Sequence, residues 1–137
     1  MNPFIRAILG IIAGVIAGVV VMNTIQIFSP YHPPAGVTYS SGGKEYLEWV
    51  RNMPDIAWKF ILASLLAGAF VSGFVTAKIA PHNPFPPLIA GFTILFFGIV
   101  EYMGFANPAW VTYIACIGCF FMAWVGGLLA RMKRRKT

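Results

Sequence analysis

The sequence predicts an all-α fold: an integral membrane bundle of four transmembrane helices, with one outer loop carrying a short amphipathic helix. Composition is the first reason. Of 137 residues, 58% are apolar and 10% charged, and mean hydropathy is +0.75, whereas a soluble domain carries roughly 25% charged residues. Such a chain has too little polar surface to coat a water-facing core. The second reason is that the apolar residues fall in four long continuous runs. Continuous runs are unlike the alternation of a transmembrane barrel, so helices are the expected spanning elements. The third is the charge pattern: five of the ten basic residues, Arg131, Lys133, Arg134, Arg135 and Lys136, crowd the last seven positions. The length suits a single membrane domain, residues 1–137.

A hydrocarbon core about 30 Å thick needs roughly 20 helical residues, each rising about 1.5 Å. The first span is expected at about 4–28. Its apolar run is longer than a signal-peptide core and no small-x-small cleavage pattern follows, so it reads as a retained helix. The outer loop, about 29–55, begins with the proline-stiffened Ser29-Pro30-Tyr31-His32-Pro33-Pro34-Ala35-Gly36, which cannot be helical. In its second half Tyr46, Trp49, Val50 and Met53 stand at i, i+3, i+4 and i+7, one apolar stripe on a short helix lying at the membrane surface. Lys44 and Glu48 form an i,i+4 pair on it, and Pro54 ends it. The second span is expected at about 56–80, the third at about 87–105 and the fourth at about 108–130. Pro3, Pro87 and Pro108 sit at helix starts, where a missing N–H costs nothing, and Pro54 and Pro81 lie between spans.

Four spans put both termini on one side. That side then holds Arg6, Lys78 and the five residues of a basic tail, 131–137, against Lys44, Arg51 and Lys59 on the other. The positive-inside bias makes the richer side cytoplasmic. Trp49, Trp58, Tyr102, Trp110 and Tyr113 fall near the opposite, outer interface, where aromatic side chains concentrate. The formal net charge of +6 and pI near 9.7 come from the tail. A basic tail beside a span is a topology signal that meets anionic lipid, so the bilayer is the expected partner and nucleic acid is not.

Lipid tails are as apolar as leucine, so membrane helices associate through close backbone approach and polar contacts. The first span offers Gly10, Gly14 and Gly18; the second offers Ser64, Gly68, Ser72 and Thr76; the third Gly91 and Gly98; the fourth Cys119, Ala123 and Gly127. The simplest reading packs these seams against one another within the bundle. The competing one turns Gly10, Gly14 and Gly18 toward a second copy, as a homodimer.

For chemistry the sequence offers little. Glu101 is the only acid within a span, and a carboxylate there must be protonated, paired or hydrated. With Asn23 and Lys59 it forms a candidate polar cluster in the outer third of the bundle. Lys59 can also snorkel outward on its long stem. Cys116-Ile117-Gly118-Cys119 spells C-x-x-C, but without a second such pair or a histidine pair it reads as two small packing residues, not a metal or redox site. His32 and His82 belong to loops on opposite sides. No nucleophile–base set, phosphate loop or paired carboxylate is present. No metal or cofactor is expected. The leading expectation is a non-enzymatic structural or interaction subunit, and the alternative is a small proton-coupled transporter or channel using Glu101.

Met1-Asn2-Pro3-Phe4-Ile5-Arg6-Ala7-Ile8-Leu9, Pro33-Pro34-Ala35-Gly36, Thr76-Ala77-Lys78-Ile79-Ala80, Pro108-Ala109-Trp110 and Met122-Ala123-Trp124-Val125-Gly126-Gly127-Leu128 occur in that order. Together they resemble a family of small bacterial four-span inner-membrane proteins, over nearly the whole chain. The resemblance implies the four-span architecture and a bacterial inner membrane, and it supplies no activity. Where that family carries a histidine in its second span and an asparagine in its third, this chain has Leu65 and Glu101. That departure weighs against a shared polar site.

Overall fold

In a computed structural model, the described residues are 2–28, 48, 51–52, 54–99 and 109–135. They form an all-α bundle with no strand among them: α1 (Pro3–Ile27), α2 (Asp55–Ile79), α3 (Phe85–Gly98) and α4 (Ala109–Arg135). Three helices, α1, α2 and the Ala109–Met132 part of α4, are long and apolar enough to cross a membrane, and α3 is a shorter apolar helix over its described length. Helix α1 starts on Pro3, with the Asn2 side chain accepting a hydrogen bond from the Phe4 amide at 2.9 Å. Helix α3 begins two residues before the expected start. Pro86 and Pro87 then occupy its first turn, where the absent N–H groups need no partner, and both are buried.

Helix α4 outruns its expected end at residue 130 and continues to Arg135, so most of the basic tail is helical. Arginine and lysine are good helix formers, and their charges suit the negative end of the helix dipole. Only a fragment of the expected loop helix lies within the described residues. Glu48 and Arg51 are helical there, and the Asn52 amide donates to the Glu48 carbonyl at 3.0 Å. Tyr46, Trp49, Val50 and Met53 lie outside the described residues.

Helix α2 is the centre of the bundle. It packs against all three others, while α1 and α4 scarcely meet and α3 bridges them. Its sequence permits this because it carries two small-residue faces. Ser64, Gly68, Ser72 and Thr76 are buried on one face, and Ala69, Gly73 and Ala77 on another one residue out of phase. Helix α1 buries only Gly10, Gly14, Gly18 and Met22, a single stripe of period four. Ile12, Ile16 and Val20 on its other faces are about half exposed or more. That is the expected partition when the surrounding solvent is hydrocarbon and apolar side chains gain nothing by turning inward.

The α1–α2 seam is antiparallel and close. A Cβ at Gly10 would lie 3.1 Å from the Thr76 carbonyl oxygen, one at Gly14 2.6 Å from that of Ser72, and one at Gly18 2.7 Å from that of Gly68. Only residues without a Cβ allow the backbones this near. The Thr76 hydroxyl lies within hydrogen-bonding distance of Ser72 O at 2.7 Å and of Gly10 O at 3.1 Å, tying the two helices together. On the other face, Gly73 lies against the Ala123 backbone and Gly126 against the Phe70 carbonyl. Helix α3 closes the bundle with Gly91 on Ala123 and Gly98 beneath the Leu65 side chain. Leu65, Ala69, Ile94, Val111, Ala115 and Cys119 belong to the buried core.

Candidate functional site

The expected polar cluster is only partly within the described residues. Asn23 near the end of α1 and Lys59 near the start of α2 are both exposed. They share the end of the bundle where α1 finishes and α2 begins. Glu101 lies outside the described residues, so its place relative to them is not part of the structure. A different polar contact occupies the interior of this end. Gln26 Nε2 donates to Ser64 Oγ at 2.8 Å, and the Ser64 hydroxyl donates to the Ile61 carbonyl at 2.7 Å. Helix α1 therefore ends on a side-chain hydrogen bond to α2, one turn beyond the last of its buried residues. Sequence spacing offers a signal for it, since Gln26 follows Gly10, Gly14, Gly18 and Met22 at the next step of four.

The aromatic residues expected at the outer interface divide. Trp110 and Tyr113 are exposed, while Trp58 is 2% exposed and part of the core. Its position explains this: it lies in the first turn of α2, the helix that packs against the other three, on a side where an indole meets protein instead of headgroups. Trp49 and Tyr102 lie outside the described residues. Cys119 is buried with Sγ 4.0 Å from the Leu65 carbonyl, and Cys116 is half-buried; both thiols are free.

The opposite end of the bundle carries its own set of polar contacts. Arg6 Nε donates to the Ile79 carbonyl at 2.5 Å, and Arg131 Nη2 donates to the Asn83 carbonyl at 2.7 Å. These two bonds pin the start of α1 and the distal part of α4 to the α2–α3 turn. Lys78 leans over the Phe74 ring, its Nζ 5.0 Å from the ring centre. The Arg131 Nε is buried with no hydrogen-bond partner among the described residues. Between the first turn of α1 and the turn at residues 80–83 lies a cavity of about 300 Å³. Its apolar wall includes Phe4, Ala7, Ala80 and Pro81, and its polar edge includes Arg6 and His82. Sequence reading counted these basic residues as a topology signal. It had no means of finding the cavity, which depends on how far apart α1 and the turn are held.

Comparison with known proteins adds no family. No family model matches the chain, and no curated protein or solved structure matches it.

Proposed function

We propose that this chain is a non-enzymatic inner-membrane protein that serves as a structural or interaction subunit, with four spans and both termini in the cytoplasm. The observation that carries the reading is the closure of the bundle's interfaces. At Gly14, Gly18, Gly73 and Gly126 the helices meet at a separation that excludes even a methyl group. The buried polar side chains among the described residues are the hydroxyls of Ser64, Ser72 and Thr76. An interior packed this way suits a rigid scaffold, leaving the outward faces to meet other molecules. The orientation is supported by the gathering of Arg6, Lys78 and Arg131 at one end, which the positive-inside bias assigns to the cytoplasm. The third span would be completed by residues following Gly98. The seam of Gly10, Gly14 and Gly18 is filled by α2 within the chain, so a second copy would meet α1 through its Ile12, Ile16 and Val20 side.

The test is extraction of the chain from its membrane with the surrounding lipid, followed by mass measurement and proton-flux assays in vesicles. The expected result is a defined complex containing a second polypeptide at fixed stoichiometry. Glu101→Gln should leave that complex and the flux baseline unchanged, while Gly14→Leu should dismantle it. A lone chain conducting protons in a manner abolished by Glu101→Gln would overturn the proposal in favour of transport.

A further inference from the structure

The end of the bundle that gathers Arg6, Lys78 and Arg131 holds no acidic partner for them among the described residues. Of the described acids, Asp55 opens α2 at the other end of the bundle and Glu48 precedes it in the chain. Helices α1 and α3 begin at the basic end with no acidic residue in their first turns, and α2 and α4 end there, so the helix dipoles largely offset and the surplus charge is that of the basic side chains. Arg6 spends its Nε on the Ile79 carbonyl. Among the described residues no hydrogen bond or ion pair engages its terminal nitrogens. Among the described residues Arg131 has no carboxylate partner either, and its Nε is buried without a hydrogen bond. A buried or half-buried charge without a counter-ion is costly, so an external anion is favoured there.

The cavity beside Arg6 narrows what that anion is. Its lining is overwhelmingly apolar, and Arg6, His82 and Asn83 are the polar residues that border it. Phe4, one of its walls, is 70% exposed. A free inorganic anion would find one polar edge and a greasy wall. A phosphodiester carrying acyl chains matches both, placing phosphate oxygens on the Arg6 guanidinium, which can bind them bidentately, and its first methylenes against Phe4, Ala7 and Pro81. We propose that this cavity is a binding site for one anionic phospholipid, held by its phosphate at Arg6 and His82 and by the upper part of an acyl chain in the apolar wall. This is a discrete site, distinct from the diffuse attraction of lipid to the residues after 131.

The experiment uses the full chain, purified in detergent and stripped of lipid, with bound lipid counted by native mass spectrometry. Phosphatidylglycerol, phosphatidylcholine of the same acyl chains, and inorganic phosphate are offered in turn. The expected result is one phosphatidylglycerol per chain, preferred about tenfold over phosphatidylcholine, whose phosphate can reach Arg6 but whose choline cation is repelled by the neighbouring Lys78 and Arg131. Arg6→Gln should erase that preference. Ala7→Phe, which fills the cavity and keeps every charge, should do the same and guards against misfolding of the arginine variant. Neutralising Lys133, Arg134 and Arg135 together should leave it intact. Loss of the preference on neutralising those three, with Arg6→Gln and Ala7→Phe binding normally, would overturn the site. So would uptake of inorganic phosphate with no lipid preference, or equal retention of both lipids.

Discussion

Replacing Gly14 by alanine adds one methyl group at the tightest part of the α1–α2 seam. The new Cβ would stand 2.6 Å from the Ser72 carbonyl oxygen and nearer still to the Thr76 hydroxyl, where ordinary contact begins at 3.4 Å. The Ser72 oxygen is backbone and cannot swing aside, so the helices must part by several tenths of an ångström. A gap of about 0.5–1 Å forfeits a quarter to a half of the dispersion energy at each contact along the seam. Overpacking of this kind costs roughly 1–3 kcal/mol. Parting also strains the Thr76 to Gly10 hydrogen bond, worth about 0.6 kcal/mol in a membrane bundle. Alanine regains up to about 1 kcal/mol in helix propensity, so the net destabilisation should be about 1–2 kcal/mol, and Gly14→Leu should exceed it. The control is Ile16→Ala on the opposite face of α1, where Ile16 is 60% exposed. In water that truncation could be serious in a core; here it should stay within about 0.5 kcal/mol. Equilibrium unfolding in mixed micelles, followed by circular dichroism as SDS is raised, measures both. If Gly14→Ala is neutral while Ile16→Ala is destabilising, α1 packs by a different face and the seam assignment fails.

Gly73→Ala should be as damaging as Gly14→Ala, because its Cβ meets the Ala123 backbone, whereas Gly98→Ala should be milder, since the obstacle is the movable end of Leu65; the same unfolding assay ranks the three. Gln26→Leu removes the hydrogen bond to Ser64 and should cost about 0.5–1 kcal/mol, with Ser64→Ala in the same background adding little, as a double-mutant cycle would show. Gly14→Ala and Gly126→Ala act on opposite sides of α2, so their effects should add within about 0.5 kcal/mol; a coupling above that would mean that α2 rotates as one body when either seam opens.

Much of this architecture was legible in the sequence because hydrocarbon imposes few solutions. The bounds of α1 and α2 follow from apolar length and proline placement, and the seam glycines from spacing alone. What escaped was the second face of α2. Ala69, Gly73 and Ala77 repeat every four residues as clearly as Gly68, Ser72 and Thr76, but the interleaving hides that a single helix can present two grooves. Trp58 escaped for the same reason, since depth along a helix does not reveal whether the surrounding neighbours are lipid or protein. The expected start of α3, at Pro87, falls two residues late because the first turn of a helix tolerates two successive prolines and the helix begins at Phe85. The candidate cluster was chosen from polar residues near one interface. Steps of four from Gly10 place Gln26 on the inward stripe and Asn23 off it, a signal the cluster reading did not use, and the structure gives Gln26 the bond to Ser64.

The central position of α2 also orders events during synthesis. Helix α1 and α2 are made first and carry a complete pair of matching seams, so they can close on each other while α4 is still in the ribosome. The Ala69-Gly73-Ala77 face must then wait, bare, until some fifty further residues have been made. During that interval the nascent hairpin displays a groove shaped for a small-residue helix and has no helix of its own to fill it.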